Sequence, residues 1–184
     1  MPGVGFLFNV KVEKTMKELN LFIPEAEIRG KVKRLAQLIK AEHENPVLIC
    51  VLKGSIHFFS DLCREIGDCE IDFMKMTSYN GTIQGDVICD LLPSTDLFQR
   101  EVVVVEDVID GGRTMASILK TLKFASPKKI SICTLLFKPQ SFRSDLYDFE
   151  PDYVGFNITD EFVVGYGFDH NQKYRNLKEI YYIK

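Results

Sequence analysis

Three carboxylates and a glycine pair fall within the seven residues Glu106-Asp107-Val108-Ile109-Asp110-Gly111-Gly112, and Arg113-Thr114 follow directly. Neighbouring acids can hold sugar hydroxyls, while two glycines let the backbone turn its N–H groups toward an anion. Thr114 adds a hydroxyl at the start of an expected helix, whose amino end favours negative charge. The combination suits a sugar phosphate, with Glu106 and Asp107 on the sugar and Gly111, Gly112 and Thr114 on the phosphate. Two commoner phosphate loops are excluded by spacing. A Walker loop needs four residues between its first glycine and Gly-Lys, and Gly-x-Gly-x-x-Gly is absent from this turn. An ordinary strand-to-helix turn with surface acids is the plainer alternative, and it leaves the position of three acids at one strand end unexplained. A second candidate, Lys53-Gly54, closes another apolar run and could meet a further anionic group near the first.

These residues need elements to position them. Val102-Val103-Val104-Val105 has the continuous β-branched apolarity of a strand covered on both faces of a parallel sheet. Carboxylates do not belong inside such a strand, so Glu106 and Asp107 are expected where it emerges, at the edge where open α/β sheets bind ligands. A helix is expected over Met115–Phe124. Val47–Leu52 reads as a second doubly buried strand ending at Lys53, preceded by a helix from Pro24 to about residue 43 and followed by one over Ile56–Ile66. Glu70–Thr77, Val87–Leu91 and Lys129–Phe137 read as further strands, with Pro93-Ser94-Thr95-Asp96 a turn and residues 78–86 a polar connection. Strands alternating with helices and joined by right-handed crossovers give an α/β fold with a mostly parallel twisted sheet flanked by helices. Residues 1–22 are expected to be a loosely held lead-in. Beyond residue 137 the texture changes to aromatics, acids and short strand-like pieces such as Tyr153–Phe156. The expectation is therefore one domain over 1–184, with a core over about 23–137 and a small hood from Lys138 to Lys184 that takes in part of 1–22.

Composition limits the partners. With 184 residues, 46% hydrophobic, the chain can fill one sizeable core, and a net charge of −3 without a basic stripe argues against a nucleic-acid surface. Five cysteines lack Cys-x-x-Cys spacing, which points to a reducing compartment rather than zinc or disulfides. No stretch of about 18 apolar residues occurs and the amino terminus has no charged n-region, so a soluble, cytoplasmic protein is expected with no membrane partner.

The run Glu106–Thr114 closely resembles the phosphoribosyl diphosphate (PRPP) signature of type I phosphoribosyltransferases, and specifically of the hypoxanthine-guanine enzymes. Leu52-Lys53-Gly54 resembles their pyrophosphate-contacting loop, which contains an unusual cis peptide. Ser78-Tyr79 resembles the opening of their mobile lid, Phe162-Val163-Val164-Gly165-Tyr166-Gly167-Phe168-Asp169 their base-binding segment, and Tyr174-Arg175-Asn176-Leu177 its tail. The motifs occur in the family's order over nearly all the chain after residue 22. Three positions depart from it: Ser55 replaces a common second glycine, Gly111 a common threonine, and Arg113 a common lysine.

The resemblance implies Mg²⁺-dependent purine salvage, in which PRPP and a 6-oxopurine base, hypoxanthine or guanine and by extension xanthine, give the nucleoside monophosphate IMP or GMP and pyrophosphate. It implies that Gly111 to Thr114, Arg113 included, hold the 5′-phosphate, that Glu106 and Asp107 hold the ribose hydroxyls, and that Lys53, Gly54 and Arg175 meet the pyrophosphate. Asp169 is implied as a Mg²⁺ ligand, with Glu106 and Asp107 beside the metal. Phe162 and Val163 are implied to contact the purine, Lys138 to donate to its 6-oxo group, and Asp110 to take the proton from N7. A homodimer or homotetramer is implied as well, with the Lys53 loop near the partner. The rival from another class is a non-catalytic PRPP or nucleotide sensor on the same fold, which need not keep a proton acceptor such as Asp110.

Overall fold

In the computed structural model, which describes residues 19–78 and 87–183, Val102 to Val105 have no exposed surface. The elements around them are β1 (Leu19–Ile23), α1 (Glu25–Glu42), β2 (Val47–Leu52), α2 (Ile56–Ile66), β3 (Glu70–Ser78), β4 (Val87–Leu91), β5 (Glu101–Ile109), α3 (Arg113–Lys123), β6 (Lys129–Phe137), β7 (Tyr153–Asn157), β8 (Val163–Val164) and β9 (Ile180–Ile183). Six strands form one sheet in the order β4-β3-β2-β5-β6-β7. All its pairings are parallel except β3 with β4. The mostly parallel sheet flanked by helices is thus the fold the sequence implies.

The unbroken apolarity of β2 and β5 has a direct cause. Leu48, Cys50, Val103 and Val105 pack with Ile28 and Val32 of α1 and Phe58 and Leu62 of α2. Their neighbours Val47, Ile49, Val102 and Val104 pack on the other face with Met115, Ile118 and Leu122 of α3. Both faces are covered, so alternate residues enter two different cores and none can be polar. From β2 the chain runs outward to β3 on one side, while β5 lies on the other. The strand order therefore reverses between β2 and β5, and the carboxyl ends of those two strands border the crevice where such sheets take ligands.

Three expectations are corrected. Residues 19–22 are not a loose lead-in: with Ile23 they form β1, paired antiparallel with β9 in a second sheet of order β1-β9-β8. Tyr153–Asn157 does not belong to a separate hood strand set, because β7 pairs parallel with β6 and extends the main sheet. Strand β5 does not end at the acids. Its pairing with β6 runs on through Glu106↔Thr134 and Val108↔Leu136 to Ile109↔Phe137, whereas its pairing with β2 stops at Cys50↔Val105. The acids are thus held straight by β6 on one side and face the opening left by β2 on the other. Among the described residues no helix is long and apolar enough to cross a membrane.

Candidate active site

A cleft of about 370 Å³ opens at this reversal point, between Gly54, Met76 and the whole run Glu106–Met115. Gly112 shapes its floor. Its φ of +89° suits glycine, a Cβ there would collide with the Phe142 ring, and it caps α3, whose first residues Arg113 and Thr114 are exposed. Strand β5 thus turns directly into a helix whose amino end faces the cleft, the arrangement that binds anions. Across the cleft, the peptide Leu52–Lys53 is cis and Lys53 is exposed. Gly54 approaches so closely that a Cβ on it would strike the Asp107 carboxylate. Ser55 is buried, and its hydroxyl donates to the Val51 carbonyl at 2.5 Å. The serine that departs from the resembling pattern is therefore tied back to β2 and faces away from the cleft.

Glu106 is 7% exposed, while Asp107 is half-buried. Burial pushes both carboxyls above their ordinary range, and for Glu106 the adjacent Asp107 charge adds to the effect. Two neighbouring acids in little water resist holding two negative charges. A hydroxylated, metal-bearing guest could use them as acceptors.

The second wall comes from later in the chain. Gly167, with φ of +107°, lies so near the Gly54 carbonyl that a Cβ would collide with it. Arg175 donates through Nη1 to the Gly167 carbonyl at 2.6 Å and pairs through Nη2 with Asp169 at 2.5 Å, while Asp169 also accepts from the Gln172 N–H at 2.8 Å. Asp107, Gly54, Gly167, Arg175 and Asp169 thus form one continuous line of contact. Lys138, 9% exposed, follows β6 and donates to Asp110 at 2.9 Å and to Asp160 at 3.1 Å. These two carboxylates raise the Lys138 ammonium above its usual range against the opposing effect of burial, which is the largest single influence on it. Phe162 is 55% exposed, with the edge of His170 set against it at 5.6 Å, and Val163 beside it is buried.

Gly54, Glu106, Asp107, Asp110 and Gly111–Thr114 line the cleft, and Lys138, Asp169 and Arg175 are joined to it by the contacts above. Phe162 and Val163 are joined to it by none of those contacts; Ser78 ends β3 and its side chain is not described, and Tyr79 and the expected lid lie outside the described residues. Asp160 and Gly167 had not been singled out. Gly167 carried a signal, as the second glycine of Gly165-Tyr166-Gly167; Asp160, between Thr159 and Glu161, carried none. A second cleft of about 380 Å³ lies between α1, α2, Tyr166 and Asn176 to Lys178. It sets Glu25, Asp61 and Glu65 against Arg29, Arg64 and Lys178 and so has no net sign with which to select an anion.

The phosphoribosyl transferase domain matches residues 24–171. The chain belongs to the phosphoribosyltransferase family. It is 43% identical over 171 residues to a hypoxanthine phosphoribosyltransferase of Buchnera aphidicola, covering 88% of this chain and 94% of that one. It is 37% identical to the hypoxanthine phosphoribosyltransferase of Escherichia coli K12, covering 88% and 93%. Among solved structures, a hypoxanthine-guanine phosphoribosyltransferase from Bacillus anthracis superposes with a TM-score of 0.85 at 39% identity, over 91% of this chain and 100% of that one. A hypoxanthine-guanine-xanthine phosphoribosyltransferase superposes with a TM-score of 0.80 at 33% identity. As a phosphoribosyltransferase the chain is a transferase, and the cleft between β2 and β5 is its candidate active site.

Proposed function

We propose that this phosphoribosyltransferase serves purine salvage, transferring the 5-phosphoribosyl group from PRPP to hypoxanthine or guanine and releasing IMP or GMP and pyrophosphate. The observation that carries this reading is the Asp110–Lys138 pair, a proton acceptor and a cationic donor 2.9 Å apart beside an anion-binding helix start. A 6-oxopurine offers the complementary edge, with an oxo acceptor next to an N7 proton. Adenine presents an amino donor where Lys138 requires an acceptor, which is the kind of mismatch that binding sites reject strongly.

Each residue then has a task. Gly111, Gly112 and Thr114 hold the 5′-phosphate, with Arg113 adding charge, and Glu106 and Asp107 accept from the ribose hydroxyls. Lys53 and Arg175 face the pyrophosphate, whose departure leaves positive charge growing at the anomeric carbon. Phe162 stacks on the purine and Val163 borders it. As the base nitrogen attacks the anomeric carbon, Asp110 takes the proton from N7 and Lys138 steadies the 6-oxo group. Asp169 is the carboxylate that would hold Mg²⁺, supplemented by substrate oxygens as this ion commonly binds; its oxygens pair with Arg175 and accept from the Gln172 N–H. Glu106 and Asp107 would help hold it. When bound, the ion would neutralise the leaving pyrophosphate.

The test is a single assay series: protein, Mg²⁺ and PRPP with hypoxanthine, guanine, xanthine or adenine, followed by absorbance. Turnover with hypoxanthine or guanine and none with adenine is expected. PRPP binding without turnover on any base would replace the enzyme by a sensor.

A further inference from the structure

Lys138 carries two carboxylates where the reaction uses only one. Its Nζ donates to Asp110 at 2.9 Å and to Asp160 at 3.1 Å, and its side chain is 11% exposed, so the ammonium can reach little else. Asp110 and Asp160 come from different parts of the chain, one at the end of β5 and the other in the turn between β7 and Phe162. Glu161 also lies in the field of Lys138, but its carboxylate accepts from the Thr159 hydroxyl. Asp160 itself is 81% exposed along its side chain, and burial does not force it into this contact.

If Asp110 were the sole partner of Lys138, the two would close into an ion pair that an incoming base must break. The acceptor needed for the N7 proton would be occupied by the very donor meant for the 6-oxo group. We propose that Asp160 is a positioning residue: it holds Lys138 by a second bond, so that Asp110 can turn to the base while the ammonium stays charged and aimed at the oxo group. An ammonium has three N–H bonds and can serve Asp160 and the 6-oxo oxygen together. As a positioning residue, Asp160 acts through Lys138. This inference rests on the reading of Asp110 and Lys138 given above.

Asp160→Asn and Asp160→Glu test it in the intact chain. In Asp160→Asn the KM for hypoxanthine should rise up to about fivefold, the span of a partly exposed ion pair, with the KM for PRPP unchanged. Asp160→Glu should restore most of the loss. An unchanged KM for hypoxanthine, or equal losses toward base and PRPP that glutamate does not rescue, would overturn the role. A second readout needs no turnover. Acylation of Lys138 by acetic anhydride, read by peptide mass spectrometry, should quicken in Asp160→Asn relative to Lys33, because the ammonium loses one of its stabilising partners. Equal rates would refute the ion pair itself. If the parent protein turned over no base while the labelling still responded to Asp160→Asn, the salvage reading would fail and the ion pair would stand.

Discussion

At the residue scale, two acids in the same cleft have opposite consequences for the protein. Asp110→Asn should lower turnover by about 10²-fold or more, the usual worth of a positioned proton acceptor, while leaving PRPP affinity nearly unchanged in calorimetry. Equal losses in both would remove Asp110 from the proton-accepting role. Glu106 is different because burial, with the adjacent Asp107 charge, pushes its carboxyl well above the ordinary range. A carboxyl raised on folding disfavours the folded state as the pH climbs above its ordinary range toward the raised value, and this cost shrinks as the pH falls from the raised value and is gone below the ordinary range. Glu106→Gln should therefore raise the melting temperature of the unliganded protein at pH 8 while weakening PRPP binding. A lower melting temperature would show that the charged form is well accommodated.

At the scale of elements, the fit of the β2 loop against residues 165–169 leaves no space for a side chain. Gly167→Ala introduces a Cβ into the Gly54 carbonyl at a φ of +107°. Strain of this kind costs about 1–3 kcal/mol, and the displaced loop would carry Arg175 and Lys53 with it. Both melting temperature and PRPP affinity should drop in Gly167→Ala, and retention of full affinity would mean that the contact is incidental. Gly30, by contrast, lies on α1 with nothing near its Cβ direction, so Gly30→Ala should stabilise by a few tenths to about 1 kcal/mol in chemical denaturation.

At the scale of the whole molecule, the opposite edge of the sheet is held by charge. Glu101 opens β5 and accepts from Lys128 at 2.8 Å, while its other oxygen lies 3.0 Å from His43 Nδ1. His43 in turn meets the Tyr153 hydroxyl of β7, which donates to Glu42. Lys128 and then His43 hold the Glu101 carboxyl down to about 2 from an ordinary 4.5. A lowered carboxyl adds stability that is complete above its unfolded value and is lost as the pH falls toward the folded one. Acid unfolding followed by circular dichroism should thus show stability falling between pH 4.5 and about 2, with a smaller fall in Glu101→Gln. An identical pH slope in the variant would place the acid sensitivity elsewhere.

The elements were largely legible in the amino-acid sequence. Val47–Leu52, Ile56–Ile66 and Lys129–Phe137 form over the same residues in structure, because continuous apolarity and helical spacing are local properties. The acid-glycine run was legible for the same reason: Gly111-Gly112 after a buried strand frees the local backbone to turn sharply. Tertiary structure alone decided what depends on distant partners. Strand β1 exists because β9, some 160 residues later, offers it hydrogen bonds, and β7 joins the main sheet because β6 has an open edge. The pairing of Lys138 with both Asp110 and Asp160, and the contact of Gly167 with Gly54, likewise bring together segments that no spacing rule connects. Local sequence specified the chemistry each segment could offer, and long-range packing determined which of those groups meet.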